Sequence, residues 1–213
     1  METSMKNLNY LPAIILTSIA LSLSFTGQAV AQNVDFGPLQ PLIGSWKTVS
    51  PGVDIAPGRT GSNVGEGGTA VEAFYEIRTY EAAADAVNAS DQSLVAIYYK
   101  LEVFRQRDDA KFHDQRGYMI YDQKNQMVYN SFCVPRAVCV TAEGKAGKKM
   151  TLTAPSRGIG ESTYMTENAT TQGFSMTMEI SEKTLSYSQT TKLNIYGKDF
   201  SHTDAATLEK VNE

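Results

Sequence analysis

Strict alternation of apolar and polar side chains is the feature that most limits what this chain can become. In GFSMTMEI, residues 173–180, Phe174, Met176, Met178 and Ile180 alternate with Ser175, Thr177 and Glu179. Successive side chains of an extended strand point to opposite faces, so such a run buries one face and wets the other. The pattern recurs at 94–104, where Val95, Ile97, Tyr99, Leu101 and Val103 oppose Lys100 and Glu102. It returns at 184–196, with Leu185, Tyr187, Leu193 and Ile195 on one side and Thr184, Ser186, Ser188, Thr190 and Lys192 on the other. Antiparallel sheets with one solvated face read this way.

Further strand signals lie at 45–49, 71–80, 112–121, 126–134, 137–141, 150–153 and 200–211, with a weaker one at 161–166. Turn-forming clusters separate them: Asp108 and Asp109, DQKN at 122–125, EGKAGK at 143–148, SEK at 181–183 and GKD at 197–199. No sustained helical stripe occurs, although YEAAADAVNAS at 80–90 suits a turn or two of helix. About ten antiparallel strands in one all-β domain are best managed by closure into a single barrel, which removes exposed edges. A β-sandwich is the competing architecture. Barrels of about eight strands have room for side chains or one small ligand, so a larger ring is expected to enclose a ligand cavity. Residues 50–70 are rich in glycine and punctuated by proline. Without a GK[ST] or a strand-glycine-helix context they read as a flexible loop at the barrel mouth, not a phosphate cradle.

The N-terminus carries a different signal. Residues 11–25, LPAIILTSIALSLSF, form an apolar run preceded by Lys6 and followed by Ala29, Val30 and Ala31. The run is shorter than the ~20 residues a spanning helix needs and ends in a small-residue cleavage site. The expected organisation is therefore a signal peptide over 1–31 and one barrel domain over 32–213. Localisation would be periplasmic or secreted after cleavage near Ala31. No second apolar run of that length follows, so no membrane span is expected in the mature chain. Loss of Glu2 and Lys6 leaves the net charge of −4 unchanged. With no basic tract, nucleic acid and anionic membranes are poor candidate partners.

The two cysteines, Cys133 and Cys139, flank a proline-containing turn between two β-prone runs. If those runs pair as a hairpin, the cysteines face one another and an oxidising compartment closes a disulfide; the other reading is two buried thiols. Their spacing fits neither a CxxC redox motif nor a zinc site.

His202 and His113 are the only histidines. In the last strand, Phe200, His202, Asp204, Ala206 and Leu208 share the more apolar face, so His202 points inward with Asp204 one pleat further along. A buried imidazole beside a carboxylate is either a hydrogen-bonded core pair or a metal-ligating histidine oriented by its neighbour. A Ser-His-Asp hydrolase is not supported, because no GxSxG occurs. His113 shares its strand face with Gln115, Gly117, Met119 and Tyr121, a mixed face that leaves its direction open. Gly117 between bulky neighbours suggests a bulge or a close backbone approach by a ligand.

Three segments together resemble the nitrobindin-like, THAP4-type haem-binding β-barrels: LQPLIGSWKT at 39–48, the strand bearing His113, Gln115, Gly117 and Tyr118, and the closing hairpin TLSYSQTTKLNIYGKDFSHTDAATLEKV at 184–211. Gln115 stands where the family has glutamate, and the first strand lacks the family's glycine alternation and Tyr-Pro turn. The resemblance implies haem b with His202 as proximal iron ligand, Asp204 as its orienting neighbour and His113 on the distal side. The hydrophobic wall would include Met176, Met178 and Leu193. It also implies nitric oxide binding and haem-dependent peroxynitrite isomerase activity. Thr203, the neighbouring register, falls on the polar face and is a poor iron ligand. Two alternatives stand beside this reading: a haem-free carrier of an apolar small molecule in the cavity, and an envelope module whose interior is filled by side chains.

Overall fold

The structure, a computed structural model, describes residues 34–83, 86–87 and 92–211. The expected signal peptide and cleavage site lie outside the described residues, as do residues 84–85 and 88–91 of the stretch read as a helical turn; residues 80–82 and 86–87 of that stretch are strand, not helix. The strands run in chain order as β1 (Gly44–Thr48), β2 (Gly52–Pro57), β3 (Thr69–Ala82), β4 (Ala86–Val87), β5 (Ser93–Arg105), β6 (Lys111–Asp122) and β7 (Met127–Val134). They continue as β8 (Val138–Lys145), β9 (Lys149–Thr153), β10 (Ile159–Glu161), β11 (Ala169–Ile180), β12 (Thr184–Ile195) and β13 (Lys198–Lys210). Helix α1 (Thr163–Asn168) and a 3-10 turn at Gly37–Leu42 complete the described structure.

All pairings are antiparallel, and the ring runs β3-β2-β13-β12-β11-β9-β8-β7-β6-β5 before β5 returns to β3. β1 and β2 occupy one ring position in succession, each paired to β13 on one side and β3 on the other. The result is a closed ten-stranded barrel with β4 and β10 as extra strands. The alternating runs fall as period two dictates: Val95, Ile97, Tyr99, Leu101 and Val103 are all buried, as are Phe174, Met176, Met178 and Ile180.

Three further expectations need correction. The segment at 161–166 is not a strand: Glu161 ends β10 and Ser162 caps helix α1, its hydroxyl accepting from the Met165 amide at 3.3 Å. Residues 50–70 are not loop throughout, since Gly52–Pro57 forms β2. Gly117 is also no bulge or ligand approach: a Cβ there would collide with the Ser131 carbonyl and Phe132 of β7.

One end of the barrel is shut. The 3-10 turn folds beneath the ring with Leu39 and Leu42 fully buried. Trp46, also fully buried, donates its indole N–H to the Leu42 carbonyl at 2.7 Å, satisfying its one polar atom. Gly37 begins the turn at φ +53°, and a side chain there would strike the Tyr121 ring, so both backbone and space require glycine. At the other end the β7–β8 turn, through Pro135 and Arg136, and the start of β6 at Lys111 border an opening.

Candidate functional site

Beneath that opening lies a cavity of about 680 Å³, within the range of small-molecule sites. Its walls are largely apolar, with Phe74, Leu101, Val103, Phe132, Phe174 and Leu193 prominent. Polar groups enter from two directions, His113 and Gln115 from β6 and a second set from the β12–β13–β2 wall. β12 turns Gln189 and Thr191 inward, β13 turns His202 and Asp204, and β2 adds Asp54.

The register explains how these groups meet. Asp54 is the direct cross-strand partner of Asp204, and Gln189 is Asp204's partner on the far side. His202 sits one pleat away on the same face of β13. Its Nε2 lies 2.6 Å from Asp54 Oδ1 and 3.4 Å from Asp204 Oδ1. Gln189 Nε2 donates to Asp204 Oδ2 at 3.0 Å. Burial disfavours the charged imidazole, but the hydrogen bonds and charges of Asp204 and Asp54 outweigh it and raise His202 to about 10. Burial pushes Asp54 up despite the bond to His202, and the charge of Asp204 adds to the rise. Asp204 is also penalised by burial, yet the His202 bond and charge hold it below the usual carboxylate value. At neutral pH the group is therefore an imidazolium between two acids.

Deeper in β3, Glu76 and Arg78 point inward and pair at 2.8 Å, almost wholly removed from solvent. Tyr187 donates to Glu76 Oε2 at 2.9 Å and lies under the Arg78 guanidinium, 4.1 Å from ring centroid to Cζ. Burial opposes the charge on Arg78, but Glu76 holds its pKa well above the usual value. Gln115 donates to the Tyr99 hydroxyl, which in turn donates to Asn130 Oδ1 at 3.1 Å. No buried side-chain polar atom among the described residues lacks a partner.

The structure brings together four of the residues singled out from the sequence: His202, Asp204, His113 and Leu193 all line the cavity. His113, whose direction the strand pattern left open, faces inward, and burial lowers its pKa so that it is neutral at pH 7. Met176 and Met178 face inward too, but are packed in the core at 3% and 1% exposure and do not line the cavity. Cys133 and Cys139 are directly opposed across β7 and β8 and joined by a disulfide.

Asp54 was invisible to pattern reading. In β2 the apolar Val53 is 45% exposed and Asp54 is 7% exposed, the inverse of the usual face assignment. Only its tertiary neighbour, the row Asp204–Gln189, explains the inversion. Glu76 and Arg78 were missed for a similar reason, since alternating charges in a strand ordinarily mark the wet face.

A closed β-barrel with one open end, an apolar-walled cavity and an inward histidine defines the class as a small-ligand-binding barrel. The family described as THAP4-like, heme-binding beta-barrel domain matches residues 35–210, and the chain belongs to it. Among solved structures it is similar to Rv2717c from M. tuberculosis, at 18% identity and a TM-score of 0.57, covering 82% of this chain and 98% of that one. That likeness is one of fold. A search of the curated proteins gave no match.

Proposed function

We propose that this protein is exported to the periplasm or beyond, and that the ligand of its barrel is haem b, held by His202 with His113 opposite. Membership of a haem-binding barrel family, combined with an inward imidazole on the wall of a 680 Å³ cavity, carries the reading. Export rests on the apolar N-terminal run and its small-residue end.

The walls, the volume and a pair of histidines fit a porphyrin. One condition attaches to iron binding by His202: its Nε2 is engaged by Asp54 at 2.6 Å. To act as a ligand, His202 must release Asp54 and give up its proton. His113 is neutral and offers a hydrogen bond to a small molecule on the facing side. Haem in this setting would supply an iron that binds nitric oxide and isomerises peroxynitrite, with the protein tuning it through axial ligand and pocket polarity.

The test is direct. Haemin added to the purified protein is expected to give a Soret band that His202→Ala loses or shifts; a wild-type protein that gives none refutes the reading. A second reading, a haem-free carrier of an apolar small molecule, is favoured by the Asp54–His202 bond itself. In that case haemin gives no band, while an apolar fluorescent dye enters the cavity and is displaced by the true cargo.

A further inference from the structure

We infer that Asp54, His202 and Asp204 form a mononuclear site for a first-row divalent transition-metal ion, bound directly by the protein without a porphyrin. The imidazole nitrogen and one oxygen from each carboxylate lie within 4.8 Å of one another. Donors bound to one such ion at ~2.0–2.2 Å stand roughly 3–3.5 Å apart. The 3.4 Å from His202 Nε2 to Asp204 already matches that spacing, and the 2.6 Å to Asp54 needs only a few tenths of an ångström of widening.

Charge gives a second, independent argument. Asp54 and Asp204 are direct cross-strand partners, an arrangement that is destabilising for like charges. Both are largely buried, with side-chain exposures of 10% and 17%. A single imidazole nitrogen, His202 Nε2, faces both carboxylates, and no other cationic side chain is paired with either among the described residues. The nearby guanidinium of Arg78 is committed to Glu76, and Gln189 brings only a neutral amide. A divalent ion neutralises both carboxylates, and the imidazole becomes a neutral donor as its proton leaves. One nitrogen and two carboxylate oxygens suit zinc, iron, manganese or cobalt better than a site of thiolates or of oxygens alone. Three protein donors leave coordination positions directed at the cavity, where a small oxygen-donor ligand can enter. Gln189, holding the second oxygen of Asp204, acts as an orienting neighbour.

The inference shares His202 with the haem reading but stands or falls separately, because Asp54 belongs to the metal site alone. Cobalt(II) added to chelator-treated protein is expected to bind one to one and give visible d–d absorption, which zinc(II) abolishes by competition. Asp54→Asn should weaken cobalt binding at least tenfold yet keep any haemin Soret band, whereas His202→Ala should abolish both. If Asp54→Asn does not fold, the wild type still decides. With only two histidines in the chain, proton NMR must show the His202 ring resonances displaced by cobalt(II). Absence of the cobalt spectrum, binding indifferent to Asp54→Asn, or unshifted His202 resonances would overturn the inference. Loss of haemin binding alone in the wild type would refute the haem proposal and leave this one intact.

Discussion

At the scale of single residues, the barrel's interior charges are where sequence and environment meet most sharply. His202 is raised from its ordinary 6.5 to about 10 in the folded protein. A folded-state pKa above the unfolded one means stability contributed by the charged form, fully present below pH 6.5 and lost as pH rises through 10. The ligand-free protein should therefore lose part of its stability across that window, and His202→Gln should flatten the loss. Urea midpoints measured between pH 6 and 10.5 check this. Asp204, held low, contributes in the opposite sense: its share is present above 3.8 and disappears as pH falls through its folded value. Glu76→Ala leaves Arg78 charged and buried without its partner. Breaking a buried pair this way costs ~3–5 kcal/mol, to be read from chemical denaturation. A loss under about 1 kcal/mol, the range of exposed pairs, would mean that water reaches Arg78.

Among the elements, the β7–β8 hairpin and the plugged end make contrasting contributions. The disulfide joins residues only six apart, so it closes a small loop. Replacing both cysteines by serine should cost about 2 kcal/mol, with the fold retained. Because Val134, Pro135, Arg136 and Val138 of the same hairpin line the cavity, its loosening is expected to show first in faster ligand dissociation. Trp46 belongs to the opposite end. It is fully buried and its indole anchors the 3-10 turn, so Trp46→Ala should cost ~3–5 kcal/mol, measured as a lowered denaturant midpoint. The strand pattern made most of these elements readable, since regular alternation survives wherever one face meets solvent. It failed at β2, where Val53 faces outward and Asp54 inward, and at α1, where an N-cap serine and the burial of Met165 outweigh a β-prone composition. In both places a tertiary partner overrides local preference.

For the whole molecule, closure of one end and opening of the other divides the interior into a packed half and a hollow half. Met176 and Met178 fall in the first and Leu193 and His202 in the second, although all four obey the same period-two rule. A ligand that enters the hollow half binds the folded chain alone. At a free concentration a hundred times its dissociation constant it should add about 2.7 kcal/mol of stability. Thermal melts run against haemin, zinc(II) and apolar dyes provide a common scale on which the proposed occupants can be compared.

The amino-acid order alone determined an all-β chain, the inward and outward faces of its regularly alternating strands, and the direction of His202. Each of these follows from local alternation and turn chemistry. Which inward residues become packing and which become site was decided only when the ring closed. Closure set Asp54 opposite Asp204 from 150 residues away in sequence, put the imidazole between them, and left the space in front of it open. The physical reason is that period two specifies a face, whereas depth, register and the neighbour across the barrel depend on contacts far apart in the chain.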